Sequence, residues 1–173
     1  MEKRLEELRI PEMVILRAGF FMEKLLQGIP QLQTGSTFAW PFSSSRPMPM
    51  VCGRDVGQRA AALLIQDPFT GPPIQELHGA GDYSMTEVVK ILGQAIGRDD
   101  VHYLQVSIED ARSGMLASGA SPSFIDAIMD TARSFNEGEE WAREVRSSRN
   151  TAPTTLLQFA ADVFAPAFTA TPV

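Results

Sequence analysis

The sequence is poor in cysteine: Cys52 is the only one in 173 residues. A single cysteine excludes an internal disulfide framework and is typical of proteins that fold in a reducing compartment. The N-terminal residues lack the apolar core of a secretory signal peptide. No apolar run approaches the about 20 residues that a membrane-spanning helix needs. We therefore expect a cytoplasmic protein that does not partner a membrane.

Positive charge is also scarce. The chain carries 15 lysines and arginines against 21 aspartates and glutamates, which gives a formal net charge of -6. Nucleic acids and anionic membranes are bound by basic surfaces, so we expect neither as a partner. The one basic concentration, residues 143–149, directly follows an acidic stretch, residues 137–140. This pattern is typical of a solvated surface with mixed charges.

Two kinds of ligand site have no sequence signature. No glycine-rich motif follows an N-terminal strand, so the pyrophosphate of a dinucleotide has no obvious helix N-terminus to bind. The glycines instead lie in separate loops. His78, His102 and Cys52 do not have the spacing of metal ligands. We therefore predict no complete cofactor site and no metal site within this chain.

Short apolar runs alternate with segments that begin with good helix caps. Strands are predicted at residues 13–16, 37–40, 50–52, 74–77 and 101–104. Helix starts are predicted at Asp55, Ser84, Ser107, Ser121 and Thr155, from capping boxes or from serine before proline. The alternation predicts an α/β fold. Residues 1–106 would form the sheet portion and residues 107–173 a helical lobe, together one compact unit.

Three segments carry a resemblance to a known family. The first is the strand-to-loop run Leu-Arg-Ala-Gly-Phe-Phe-Met-Glu at residues 16–23. The second, residues 48–61, places Arg-Asp-Val-Gly between a strand and an alanine-rich helix. The third, residues 77–98, holds Tyr-Ser-Met-Thr-Glu and ends in Ile-Gly-Arg. In this order the segments resemble the NmrA-like, atypical short-chain dehydrogenase/reductases, and residues 155–168 are similar to that family's closing helix.

The resemblance implies the C-terminal half of a Rossmann-like reductase with a helical substrate-binding lobe. NAD(P)H is the cofactor that the family implies, and a separate N-terminal half would bind it, so that redox activity would require that half. Tyr83 and Tyr103 are the only tyrosines, and neither is followed four residues later by the lysine of the usual short-chain reductase pair. The resemblance also places six residues at the substrate pocket: Arg17, Ala18, Gly19, Phe20, Phe21 and Glu23.

The residues of this pocket leave alternatives open. Gly19 lets the chain bend after a strand, and ligands of open α/β sheets lie beyond the carboxyl ends of the strands. Phe20 and Phe21 would either wall a flat aromatic, quinone or polyketide-like ligand or belong to the core. Asp55 is interpreted as a helix cap rather than as a catalytic group. Candidate acid/base groups are Glu23, His78, Asp82 and Tyr83.

Two other functions remain open. The chain could be a cofactor-independent small-molecule binder, isomerase or cyclase derived from a reductase, or a regulatory module without catalytic activity. Half of a doubly wound sheet would leave the strand at residues 13–16 with an unpaired edge and uncovered apolar surface. We therefore predict either a homo-oligomer or a partner that supplies the N-terminal half.

Overall fold

The computed structural model describes residues 2–8, 10, 13–65, 73–138 and 142–170. The strands are β1 (Ile15–Ala18), β2 (Phe20–Phe21), β3 (Thr37–Trp40), β4 (Met48–Val51), β5 (Ile74–Leu77), β6 (Gly81–Tyr83) and β7 (His102–Gln105). The α-helices are α1 (Glu2–Glu6), α2 (Ile29–Thr34), α3 (Gly53–Leu64), α4 (Met85–Ala95), α5 (Ile108–Ala117), α6 (Pro122–Glu137), α7 (Leu156–Phe159) and α8 (Ala165–Thr169). A 3₁₀ helix (Met22–Gly28) leads into α2, and a π-helical segment (Ala160–Phe164) joins α7 to α8.

The strands form three small ladders. β1 pairs in parallel with β5, and β3 pairs in parallel with β7. β4 lies between β2, which is parallel to it, and β6, which is antiparallel. Gly19 separates β1 from β2, so the chain passes from the first ladder to the second within one residue. The candidate pocket segment, residues 17–23, therefore begins at the carboxyl end of β1.

The strand predictions agree with the structure to within two residues. The strands at residues 37–40 and 74–77 are confirmed, whereas β1 begins at Ile15 rather than at residue 13. The continuous apolar run at residues 13–16 by itself predicts a strand covered on both faces, but all four residues of β1 are only half-buried. β6 was not predicted, because its three residues Gly-Asp-Tyr look like a turn. The sequence also predicts that a first, N-terminal helix stops at Pro11, which lies outside the described residues.

Most of the predicted helix caps are confirmed. The side chains of Ser84 and Thr155 form complete capping boxes, and those of Ser107 and Ser121 accept first-turn N–H groups. Pro122 follows as the first residue of α6, where its missing N–H costs no helical hydrogen bond. The prediction for Asp55 is wrong, because α3 begins earlier: Cys52 occupies the cap position and makes no side-chain capping bond.

The main core lies around α4 and the closing helix. α4 buries Val88, Val89 and Leu92 against Phe159 and Phe164 of the C-terminal segment. The closing helix widens to a π-turn just before Pro166. Proline has no N–H and its ring crowds the preceding turn, so the wider turn accommodates it without a break.

We predict a helical lobe after residue 107, but this part of the chain is not helical throughout. Thr151 forms a parallel bridge with His78 at the end of β5. The N–H of His78 donates to Asn150, and the carbonyl of His78 accepts from Ala152. The C-terminal portion therefore adds an extended segment to the sheet before its closing helix begins.

Candidate functional site

Arg17, the first residue of the predicted pocket, is engaged within the protein. Its guanidinium donates two hydrogen bonds to the Glu2 carboxylate, at 2.8 and 2.5 Å. It also lies 4.0 Å from the Glu76 carboxylate. Hydrogen bonding to Arg17 lowers the pKa of the Glu2 carboxyl. Arg17 thus ties α1 to β1.

Gly19 is required by close packing rather than by an unusual backbone conformation. A β-carbon placed on Gly19 would lie 2.7 Å from the carbonyl oxygen of Pro49. Gly79 approaches the same strand from the next loop, and a β-carbon there would lie 1.7 Å from the carbonyl oxygen of Met50. β4 is therefore enclosed by two loops that have no side chain at the point of contact, and this fixes the position of the pocket segment.

Phe20 belongs to the core, whereas Phe21 is half-buried. The ring of Phe20 packs edge-on against Trp40 and Phe42, at centroid distances of 5.9 and 5.7 Å. Tyr103 fixes this cluster from behind, since its hydroxyl donates to the carbonyls of Trp40 and Phe42 at 3.0 and 2.7 Å. Burial raises the pKa of the Tyr103 hydroxyl. The cluster is therefore a rigid and largely buried part of the core directly after β1.

Glu23 caps a helix that is distant in sequence. Its Oε1 accepts the backbone N–H of Gly53 at 2.8 Å and lies 3.4 Å from the sulfur of Cys52. A carboxylate at the start of α3 satisfies one of the N–H groups that have no partner within the helix, and it suits the positive end of the helix dipole. Sequence reasoning missed this contact, because residues 23 and 53 come together only in the folded chain.

The second oxygen of Glu23 lies beside a small cavity. Oε2 is buried and has no hydrogen-bond partner among the described residues. The cavity has a volume of about 110 Å³, and Glu23, Cys52 and Arg54 line it together with residues of the closing helix. Burial raises the pKa of the Cys52 thiol, so this cysteine is not activated as a nucleophile.

Asp55 holds the closing segment to α3. Its carboxylate accepts the backbone N–H of Thr154 at 3.0 Å and the Thr154 hydroxyl at 2.9 Å. Both residues are buried. The Arg-Asp-Val-Gly segment therefore contributes a long-range anchor that no local sequence pattern predicts.

Glu76 and His78 form a buried polar pair near the carboxyl end of β5. The Glu76 carboxylate lies 3.4 Å from Nε2 of His78, and it accepts the backbone N–H groups of Arg143 and Glu144, each at 2.9 Å. Glu76 was not among the predicted site residues. Its one sequence signal is a charged residue in the middle of a short, otherwise uncharged strand.

The other two acid/base candidates have separate surroundings. Asp82 is exposed and pairs with Arg146, which also donates to the carbonyl of Gly79. Tyr83 is half-buried against the main core. Within the described part of the chain, no hydrogen bond joins any two of Glu23, His78, Asp82 and Tyr83. The four candidates therefore do not form one hydrogen-bonded constellation.

The described residues hold neither a metal-binding cluster nor a helix able to cross a membrane. These residues contain no group of three or more His, Cys, Asp or Glu side chains that could hold a metal ion. None of their helices combines the length and apolarity that crossing a bilayer requires.

Solved structures share this fold at low sequence identity. A nucleoside-diphosphate-sugar epimerase from Staphylococcus aureus is 19% identical, with a TM-score of 0.74, and the match covers 92% of this chain and 55% of the epimerase. An NADPH-dependent quinone oxidoreductase from Escherichia coli is 20% identical, with a TM-score of 0.73 and coverages of 94% and 58%. A triphenylmethane reductase from Citrobacter is 14% identical, with a TM-score of 0.72 and coverages of 95% and 56%.

These similarities confirm the predicted α/β, Rossmann-like fold class. The chain spans just over half the length of each of the three structures. None of the curated protein sequences matches it significantly. The model of the NmrA-like family matches residues 1–158. Because that match begins at residue 1, the correspondence to a C-terminal half stays a prediction. The family match extends over most of the sequence, and the chain belongs to the NmrA-like family.

Proposed function

We propose that this chain forms the substrate-pocket side of an NmrA-like, NAD(P)H-dependent reductase, and that reduction requires a second half that binds the cofactor. The observation that carries the proposal is the position of the pocket segment. Residues 18–21 comprise the last residue of β1, Gly19 and the whole of β2, and ligands of open α/β sheets bind at such strand ends.

The open edge of β1 supports the requirement for a second half. In the described part of the chain β1 is hydrogen-bonded to β5 alone. The N–H groups of Ile15 and Gly19 donate to the β5 side. Since successive residues of a strand point in opposite directions, the N–H groups of Leu16 and Ala18 point to the open edge. An added strand would satisfy them and would cover the half-buried side chains of β1.

The residues of this chain do not fit the cofactor by themselves. NADPH is present in a solved structure of the Escherichia coli oxidoreductase. Here the long helix nearest to the pocket segment is α3, and its first N–H is already bonded to the Glu23 carboxylate. A pyrophosphate at the same place would meet a like charge and a donor that is already in use. The cofactor therefore belongs to the second half, and this chain's own contribution is to position the substrate.

We assign a flat aromatic or quinone-like substrate to the pocket. Support comes from two half-buried aromatic side chains of this region, Phe21 in β2 and Trp40, which packs against the buried Phe20. Two proteins of the same fold act on quinones and on triphenylmethane dyes. Aromatic rings stack favourably on such clusters, whereas small polar substrates gain little from them.

Tryptophan fluorescence tests the substrate class. The Trp141→Phe variant retains Trp40 as its only tryptophan. We expect 1,4-naphthoquinone to quench it saturably, and Phe21→Ala to weaken binding by roughly tenfold through lost apolar contact. Phe124→Ala removes a phenylalanine that is 45% exposed on α6 and is the matched control. Quenching that rises linearly without saturation, or that Phe124→Ala weakens equally, contradicts the assignment.

Light scattering after size-exclusion chromatography tests whether the open edge of β1 pairs with another chain. Without its second half, the chain is expected to self-associate through β1. Leu16→Pro removes an edge N–H without removing a bond to β5, so we expect the monomer to predominate. A wild-type chain that is monomeric at high concentration would contradict this part of the proposal.

A second function is favoured by the free oxygen of Glu23. A buried carboxylate oxygen without a partner, beside a cavity, suits a proton acceptor in a cofactor-independent isomerase or in a small-molecule binder. Glu23→Gln keeps an acceptor for the Gly53 N–H. If the second function holds, this variant abolishes cofactor-free turnover while the fold persists. If the reductase function holds, no cofactor-free turnover of the quinone exists to be abolished.

A further inference from the structure

The basic residues between 143 and 149 are part of an ordered loop rather than of a loose surface segment. We name residues 142–150 the arginine loop. At its start, the buried carboxylate of Glu76 accepts the N–H groups of Arg143 and Glu144. At its end, the buried amide oxygen of Asn150 accepts the N–H of Ser147 at 2.7 Å. Two buried polar side chains thus fix a loop that has no regular secondary structure.

The arginine loop lies on the side of β5 that faces away from β1. The carbonyl of Leu77 bonds to Gly19 on the β1 side, whereas the N–H and carbonyl of His78 bond to Asn150 and Ala152. Because adjacent residues of a strand point in opposite directions, the loop follows the outer edge of β5. This position separates it from the open edge of β1 and from the pocket proposed above.

A groove of about 800 Å³ lies between this loop, β5 and α3. Its volume falls within the range of about 300–1,000 Å³ that is typical of small-molecule sites. Three arginines line it: Arg59 from α3, and Arg146 and Arg149 from the loop. Arg149 is exposed and makes no hydrogen bond or ion pair with any described residue.

The charges of the groove favour an anion. Arg59, Arg146 and Arg149 line the groove with two carboxylates, Glu76 and Glu144. Arg146 is already paired with Asp82, whereas Arg59 and Arg149 have no carboxylate partner among the described residues. The Glu76 carboxylate is already satisfied by two backbone N–H groups, and Arg17 and His78 lie within 4.0 Å of it. The planar guanidinium group matches the oxygens of a phosphate or carboxylate with two parallel hydrogen bonds.

The lining also contains apolar surface. Ala62 and Leu63 line the groove from α3, and Val145, which is 91% exposed, lines it from the loop. An inorganic anion uses none of this surface, whereas an organic phosphate covers it. We infer that the groove between the arginine loop and α3 binds a small organic phosphate, with Arg59 and Arg149 at the phosphate group and the organic part against Leu63 and Val145.

Nuclear magnetic resonance of the arginine Nε–H groups tests this site on the full chain. Phenyl phosphate is the probe, with inorganic phosphate and phenol as the partial ligands. We expect phenyl phosphate to shift the Arg149 and Arg59 signals and to bind more tightly than either partial ligand. Shifts spread over all arginines, no shifts, or equal binding of inorganic phosphate would overturn the assignment.

Arg149→Gln supplies the discriminating variant, because its side chain has no role in the described fold. We expect it to weaken phenyl phosphate binding about tenfold, as the loss of a charge-assisted hydrogen bond does. Arg133→Gln removes one exposed positive charge on α6 and is the matched control. If Arg133→Gln weakens binding equally, the effect is one of net charge and the site is refuted. The outcome does not depend on the reductase proposal, since no residue of the groove belongs to the pocket segment.

Discussion

Two regions of this molecule are held together by different interactions. The α4 side comprises α4 and the closing helix, and the β1–β5 side comprises these two strands and the arginine loop. Around α4 the interior is apolar, and Leu92, Phe159 and Phe164 are almost completely buried. On the β1–β5 side the buried groups include the polar side chains of Glu76 and Asn150, which hold irregular segments. On the β1–β5 side, one edge of β1 has no paired strand among the described residues.

The difference agrees with where we propose that other molecules bind. Burial of apolar area stabilises the α4 side without any directional requirement. Buried carboxylates and amides stabilise only when each is hydrogen-bonded, and they fix loops in one arrangement. The ordered arginine loop and the half-buried β1 both lie on the side that is fixed by polar contacts.

The largest expected effect is on the α4 side. Phe159→Ala should lower the free energy of unfolding by about 3–5 kcal/mol, since it leaves a cavity in a closely packed core. Urea denaturation measures the change. Leu157→Ala, two residues earlier and 62% exposed, is the control and should shift stability by less than about 0.5 kcal/mol. Equal effects would show that the closing helix does not pack as described.

The next largest effect on stability is expected where the Asp55 carboxylate holds Thr154. Asp55→Ala should cost about 1–3 kcal/mol, because it leaves two buried donors of Thr154 without an acceptor. Hydrogen exchange should then be faster through residues 154–164 than through α6. Asp130→Ala removes a carboxylate that is paired on the surface with Arg133 and serves as the control. If exchange in the closing helix is unchanged, Asp55 does not anchor it.

A smaller effect comes from the cap of α4. Ser84→Ala should cost about 1 kcal/mol, as the loss of an N-cap side chain does. Ser113→Ala, at an exposed position of α5, is the control. An equal loss in the two variants would contradict the capping box.

The same capping box predicts a pH dependence. Hydrogen bonds from Ser84 lower the pKa of the Glu87 carboxyl below its ordinary value of 4.5. The stabilisation is therefore present above pH 4.5 and is lost as the pH falls through the lowered pKa. The difference in thermal unfolding between wild type and Ser84→Ala should be larger at neutral pH than in acid, where only the bond from the Glu87 N–H to the Ser84 hydroxyl is still lost. A difference that does not change with pH would contradict the prediction.

The smallest effect on stability is expected at the contact between α1 and β1, on the β1–β5 side. Glu2→Gln breaks the ion pair with Arg17. Both side chains of this pair are partly exposed to solvent. Exposed ion pairs contribute little, so we expect no measurable change in the urea midpoint at physiological salt. A loss as large as that of Ser84→Ala would mean that α1 is an integral part of the β1 region.

The two sides also differ in how far the sequence predicts them. The caps at Ser84, Ser121 and Thr155 were predictable because capping depends on residues within one helical turn. The apolar stripe of α4 was predictable for the same reason: its spacing alone determines which face is buried. Local rules therefore account for most of the α4 side.

Local rules fail where distant residues meet. Asp55 has the spacing of a capping residue, yet Glu23 caps α3 and Asp55 is free to hold Thr154. The pairing of Glu76 with the arginine loop joins residues that are 67 positions apart. No periodicity encodes such contacts, because they depend on how strands and loops are placed by the whole fold.

The most direct test is calorimetric titration of NADPH into this chain alone and into the chain with a cofactor-binding half added. Our account places the substrate pocket in this chain and the cofactor site outside it. It predicts no saturable binding to the chain alone, and binding once the second half is present. Micromolar binding of NADPH to the isolated chain would contradict the account.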